Sequence, residues 1–377
     1  MQRARWISIA ILSCVPALAT AQPEPPPKKT PWYEKLSVRG YAQIRFNRLY
    51  ATEDDFKNDL GDKALADDNT FSIRRARLIV FGDVTPFLGV YLQTDASGAG
   101  VKMRDWYADV LVDRDKSLRF RVGQSKVPFG WENMQSSQNR APLDRSDPIN
   151  SAVPGERDLG VFAYWETKQA RKLFKHLTDS GLKGSGDYGM AGLGVYQGQT
   201  LNVDDKNRNV HVVARFTYPF QLGEQVLEVG ANGYAGKFTV DKDAAIQGDA
   251  TVRDMRVGGH VIVYPQPIGF QAEYNVGKGP ELVGDTLEEH FLHGGYAMVL
   301  AKLGPVVPFV RGAYYDGAYK TFKNAPRAVV KELAAGVEYM VHDRVELVVE
   351  VDHAYRVVGD SYDVWGTVVR SQAQFSY

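Results

Sequence analysis

Cysteine is almost absent: one residue in 377, Cys14. It lies in an N-terminal stretch that reads as a cleaved secretory signal, with basic Met1–Arg5, an apolar run from Trp6 to Leu18 and small residues Ala19-Thr20-Ala21. Cleavage after Ala21 would leave no thiol, which excludes disulfides and cysteine-held metals from the mature chain. A lipoprotein site at Cys14 is the alternative, preceded by a shorter apolar run. Net charge is also lacking, with 45 basic and 45 acidic side chains, so no basic footprint points to nucleic acid. Beyond the signal there is no apolar run long enough for a membrane-crossing helix. That absence leaves open a barrel, whose strands turn every second residue to a wet lumen.

Catalytic signatures are missing too. No G-x-S-x-G elbow and no Walker loop is present, and Gly184-Ser185-Gly186 reads as a flexible turn. His290 and His293 lack an evident third metal ligand. Asp352 and His353 are adjacent on an expected strand, so their side chains point apart. No cofactor, metal or enzymatic activity is therefore expected. An enzyme or adhesin on a barrel scaffold and a secreted soluble β protein are the competing classes.

What the sequence has in quantity is alternation. Leu36, Val38, Gly40, Ala42, Ile44 and Phe46 interleave with Ser37, Arg39, Tyr41, Gln43, Arg45 and Asn47, long enough to cross a bilayer as a tilted strand. Similar segments fall near 75–80, 88–93, 105–113, 118–122, 158–167, 188–198, 209–219, 225–236, 253–264, 269–277, 290–301, 305–315, 328–341, 345–355 and 366–377. The last ends on an aromatic, Tyr377, with Val369, Ala373 and Phe375 on the same face. A closing strand of this kind is expected to engage the barrel assembly machinery, and its aromatic to sit in the interfacial girdle. Residues 1–21 are thus read as signal, 22–34 as a tether with five prolines between Gln22 and Pro31, and 35–377 as a transmembrane antiparallel up-and-down β-barrel of about 16 strands.

Connections alternate in length. Short ones include 83–86, 113–117, 265–268, 303–305 and 342–344; long ones include 50–70, 126–157, 199–208, 237–252, 278–289 and 316–327. Short periplasmic turns facing long outer loops suit a barrel in the outer membrane, with lipid as its surroundings. One segment departs from the rhythm: 168–187 falls where a short turn belongs. It reads as an inserted turn, with the helical spacing of Ala170, Leu173, Phe174 and Leu177 as the alternative.

Two segments resemble a known family, the phosphate-selective porins O and P. Phe71-Ser72-Ile73-Arg74-Arg75-Ala76-Arg77-Leu78 is similar to its arginine-rich early strand. Gly123-Gln124-Ser125-Lys126-Val127-Pro128-Phe129-Gly130-Trp131-Glu132 resembles its G-Q-x-K-x-P-F-G-x-E signature, and Gly155-Glu156-Arg157-Asp158-Leu159-Gly160 its G-x-R-D-x-G. Ser136-Ser137 and Asp144-Arg145-Ser146 lie between at family-like spacing. The resemblance implies sixteen strands, often a homotrimer, and a third loop folded into the lumen. It implies a channel for passive diffusion of small solutes, with anions such as phosphate or pyrophosphate the favoured cargo and a non-selective pore the alternative.

The candidate anion path follows. Alternation turns Arg39, Arg45, Arg75, Arg77, Arg119 and Arg121 toward the lumen, and the third loop adds Lys126, Arg140, Arg145 and Arg157. Guanidinium groups suit phosphate because their planar fork donates two parallel hydrogen bonds. Carboxylates lie among them, Glu132, Asp144, Asp147, Glu156 and Asp158 in the loop, and Asp95, Asp105, Asp109, Glu228, Glu273 and Glu350 on strands. Simple ion pairing therefore competes with anion conduction as the reason for the arginines.

Overall fold

The structure is a computed structural model that describes residues 31–51, 71–97, 100–359 and 364–377. Residues 1–30, with the expected signal and most of the tether, lie outside them, as does most of the first long connection. A 3-10 turn at Trp32–Lys35 leads into the first strand.

Among the described residues there are sixteen strands, each longer run matching an alternating segment of the sequence. They are β1 Ser37–Ala51, β2 Phe71–Thr85, β3 Leu88–Asp95, β4 Lys102–Leu111, β5 Leu118–Lys126, β6 Arg157–Trp165, β7 Ala191–Tyr196 and β8 His211–Leu222. They continue as β9 Gln225–Thr239, β10 Thr251–Val263, β11 Ile268–Val283, β12 Thr286–Ala301, β13 Val306–Ala318, β14 Arg327–His342, β15 Val345–Val358 and β16 Val364–Ser376. Each pairs with its chain neighbours, and β16 returns to β1, closing the barrel. Closure leaves no edge to satisfy in the apolar bilayer.

The seam shows how closure is built. Ala42 faces Phe375 and Ile44 faces Ala373. The amides of Gly40 and Tyr377 exchange hydrogen bonds of 2.8 and 3.0 Å, and the Tyr377 hydroxyl donates to the Arg77 carbonyl at 3.2 Å. A Cβ on Gly40 would come within 2.5 Å of the Tyr377 ring, so only glycine lets the last aromatic lie across the seam.

Burial runs opposite to that of a soluble protein. Outward apolar side chains stay exposed, including Leu193 at 62%, Val257 at 58% and Leu333 at 56%. Inward positions bury Arg45, Glu228, Arg311, Glu350 and Arg370 at 0% exposure. An apolar belt of that extent is stable when lipid covers it.

Two expectations are corrected. The segment 168–187 is not an ordinary turn: Lys168–Asp179 forms a helix, α3 in chain order, counting two single-turn helices, α1 Trp131–Met134 and α2 Asp147–Asn150. Thr167 caps α3, its hydroxyl accepting from the Ala170 amide at 3.2 Å. Ala170, Phe174 and Leu177 bury against Trp131, Leu182, Met190, Val226, Ile262 and Tyr264, and that apolar seat is what stabilises so short a helix. The second correction concerns 278–289. Strands β11 and β12 continue through it and meet at a tight turn where Gly284 takes φ +63, so no long loop exists there.

Candidate lumen site

The third outer connection, residues 127–156 between β5 and β6, carries α1 and α2. Nearly all of it is buried. Its polar groups bond to strands all round the barrel. The Glu273 carboxylate on β11 accepts the Trp131 and Glu132 amides, each at 2.6 Å. Glu228 on β9 accepts the Trp131 indole N–H at 3.1 Å. On β13, Arg311 donates to the Glu132 carboxylate at 3.1 Å and the Asp144 carbonyl at 2.9 Å. Glu350 on β15 accepts the Leu143 amide at 2.9 Å. Arg256 on β10 reaches the Ser151 hydroxyl at 3.0 Å, and Arg356 on β15 reaches Asp147 at 3.1 Å.

Asp144 is the hub of this network. Arg45 on β1 holds it at 2.7 Å, Arg370 on β16 at 2.5 Å and Arg74 on β2 at 3.4 Å. Arg370 also pairs with Glu350 and, at 3.0 Å, with Asp352. Glu156 plays a similar part, with Arg145 at 2.8 Å, Arg157 at 2.6 Å and Arg104 at 3.4 Å. Buried charges of this density survive only when each is paired and hydrogen-bonded, because an unpaired one loses its hydration without compensation.

The predicted residues therefore divide. Arg45, Arg140 and Arg145 are fixed within the loop's own scaffold, Arg140 donating to the Leu143 carbonyl at 3.2 Å and Arg145 to the Gln135 carbonyl at 2.7 Å. Buried Arg75 donates to Gln43 at 3.0 Å. Arg119 turns to the α3 segment, meeting Glu166 at 3.0 Å and Asp187 at 2.9 Å. The other five, Arg39, Arg77, Arg121, Lys126 and Arg157, line one cavity of about 840 Å³ between the loop, the α3 segment and the β14–β15 turn.

Within that cavity Arg77 pairs with Asp95 at 2.9 Å, and Arg157 with Asp105 at 2.9 Å. Arg121 grips Asp109 through two bonds of 2.8 and 2.9 Å, its guanidinium 3.7 Å above the Tyr107 ring. Tyr107 stacks on Tyr91 at 5.1 Å. Arg39 is exposed at the mouth, over the Phe81 ring at 5.1 Å. Lys126 differs from the rest. Its ammonium donates to two backbone carbonyls, those of Met134 and Gln135, each at 2.8 Å. Cross-strand pairing sets it directly opposite Arg157. The Asp105 and Glu156 carboxylates on Arg157 offset the repulsion between these two like charges.

Several lumenal cations escaped the sequence reading: Arg311, Arg356 and Arg370 on the inner wall, and Lys175 and Arg344 on the cavity. Alternation in β13, β15 and β16 puts the first three on the buried polar phase, which was the available signal. The α3 segment was missed as well. Lys183, just after α3, reaches Glu338 on β14 at 2.6 Å, and the carboxylates of Glu338 and Glu346 raise its pKa against the opposing effect of burial. Glu166, just before α3, is pushed up to about 7 by burial and by the Asp187 carboxylate. The loop and this segment touch: Gln135 donates to the Lys183 carbonyl at 2.6 Å and Asn139 to that of Gly184 at 2.7 Å.

The histidines carry no metal-like geometry. His290 lies 3.3 Å from Glu281, His293 bonds the Tyr274 hydroxyl at 2.6 Å, and among the described residues no group of three ligating side chains converges. Asp352 is buried while His353 stacks outside on Trp365 at 5.5 Å.

Solved structures with this fold are outer-membrane proteins. The outer membrane channel DcaP of Acinetobacter baumannii aligns with a TM-score of 0.58 at 14% identity, covering 91% of this chain and 97% of that one. The trimer form of OmpT from Vibrio cholerae gives 0.55 at 10%, covering 91% and 99%. Salmonella typhi OmpF, in complex with daunomycin, gives 0.55 at 13%, covering 91% and 97%. No curated protein matches in sequence. The family model for phosphate-selective porin O and P matches residues 50–305. That match, over the greater part of a closed sixteen-strand barrel, places the chain among outer-membrane channels: it belongs to the phosphate-selective porin O and P family.

Proposed function

We propose that the chain is a passive diffusion channel that favours small anions such as phosphate, with residues 127–156 as an in-folded loop that narrows the lumen. Hydrogen bonds from that segment to β9, β10, β11, β13, β15 and β16 support the in-folding, since only a segment inside a closed barrel reaches opposite walls. The observation that carries the selectivity is the pair at the base of the loop, Lys126 opposite Arg157, with the Lys126 ammonium bonded to carbonyls instead of a carboxylate. Around the cavity stand seven basic side chains, Arg39, Arg77, Arg121, Lys126, Arg157, Lys175 and Arg344, and five acidic ones, Asp105, Asp179, Asp187, Asp343 and Glu346; Asp95 and Asp109, which hold Arg77 and Arg121, bring the two signs level. In a narrow wet pore with low-dielectric walls an ammonium held by carbonyls, as Lys126 is, attracts anions and repels cations. The other arginines form a rigid frame, bonded to carboxylates, backbone carbonyls and an amide side chain, and serve shape more than charge.

Reversal potentials across planar bilayers with a salt gradient test this reading. An anion-to-cation permeability ratio above one, lowered by phosphate competition with chloride, is expected; a cation-favouring ratio refutes it. Assembly as a homotrimer is proposed on the model of the trimeric neighbour, with engagement of the assembly machinery through β16 and Tyr377.

A further inference from the structure

The outer face of the barrel carries a feature unrelated to the lumen. Lys237 on β9 and Arg253 on β10 are direct cross-strand partners and both point outward. Lys278 on β11 joins them, opposite Met255. Among the described residues the carboxylate paired with them is Glu289, 3.5 Å from Arg253 and 3.3 Å from Lys278. Asp205, on the neighbouring loop, is occupied by the amides of Asn207 and Arg208. Like charges directly opposite on a sheet destabilise it unless a counter-charge arrives.

These cations stand at the rim that bears the long loops, hence the outer side. A cavity of about 360 Å³ lies between them, lined by Asn209, Ala235, Lys237, Arg253 and Met255. Directly below, on the same face, Met255 pairs with Ala235 and Val257 with Gly233. These four belong to an apolar groove of about 680 Å³ that continues over β8 and β7, floored by Gly194, Ala214 and Gly233 and walled by Leu193 and Val257. The two cavities share Ala235 and Met255, so a cationic seat opens onto a hydrocarbon-lined trough.

We propose that this surface binds a phosphate-bearing membrane lipid, its phosphate between Lys237 and Arg253 and an acyl chain in the trough below. Charge and shape select the occupant together: inorganic phosphate would leave the trough bare, and a neutral lipid would leave the cations facing each other.

The test uses the folded full-length barrel in detergent. Native mass spectrometry follows retention of dioleoylphosphatidic acid, dioleoylglycerol and inorganic phosphate. Phosphatidic acid is expected to bind roughly thirtyfold more tightly than the glyceride, from two cations at the headgroup. Lys237→Gln with Arg253→Gln should erase that difference, and Ala235→Leu, which fills the trough, should weaken both lipids while heat-modifiable migration stays that of a folded barrel. Lys331→Gln, an outward cation elsewhere on the rim, should change nothing. Retention of phosphatidic acid by the double variant as strong as by the wild type, a loss with Lys331→Gln equal to that of the double variant, or retention of inorganic phosphate as strong as that of the lipid each overturns the proposal. So does dissociation of an oligomer by the double variant with lipid retention unchanged, which would make the patch a subunit contact.

Discussion

Replacing Lys126 by Gln removes one positive charge from the cavity while leaving an amide N–H to serve the carbonyls of Met134 and Gln135. An ion passing at about 7 Å from a unit charge in water feels roughly 0.6 kcal/mol. At 0.1 M salt the Debye length of about 10 Å cuts this by around half. The charge attracts anions and repels cations equally, so the two effects combine to about 0.6 kcal/mol in the permeability ratio, or close to threefold. Reversal potentials in a salt gradient near 0.1 M measure that ratio directly. At 1 M, where the screening length falls to about 3 Å, wild type and variant should converge. An unchanged ratio at low salt, from a variant that conducts with normal single-channel steps, would place Lys126 outside the ion path. Selectivity would then have to come from the shape of the frame or from another charge.

Other consequences are open to measurement. Arg77→Ala strands the Asp95 carboxylate and should destabilise the barrel by about 3–5 kcal/mol, lowering its heat-unfolding midpoint, with Asp95→Asn recovering most of the loss in the double variant. Trp131→Ala empties a fully buried site shared by the loop and α3; a cost of about 3–5 kcal/mol is expected, with a larger and noisier single-channel current as the loop loosens. Lys183→Gln breaks the tie from the α3 segment to Glu338, so hydrogen exchange should quicken across 168–187 while the strands stay protected. Glu166, pushed up to about 7, holds its proton in the folded state beyond the usual carboxylate range. The folded form binds more protons than the unfolded form between about pH 4.5 and 7, so docking of this segment should weaken as pH rises through that window. Exchange in 168–187 that slows on going from pH 5 to 8, after correction for intrinsic rates, would contradict it.

The barrel was legible in the sequence because its determinant is local. Period-two alternation makes one face of each segment apolar and the other polar, whichever strand becomes its neighbour. β1, β8 and β16 carry that pattern along most of their length. The same periodicity placed Arg45, Arg75, Arg77, Arg119 and Arg121 on the inner side, where all five are buried. Spacing also held the clue to α3, but its stability depends on Trp131, Val226 and Ile262, residues far away in sequence, so the helix and the inserted turn could not be separated locally.

Tertiary structure decided which cation does what. Arg45 and Arg121 look alike in sequence, each an arginine on a polar strand face, yet one clamps Asp144 of the loop and the other lies on Tyr107 beside the cavity. Those partners come from 99 residues away in the first case and 14 in the second, a difference fixed by barrel register and loop path. Lys126 gains its meaning only when the chain brings Arg157 opposite and supplies carbonyls in place of a carboxylate. Alternation assigns a side chain to a face; the charge it meets there depends on long-range pairing, which no window of sequence contains.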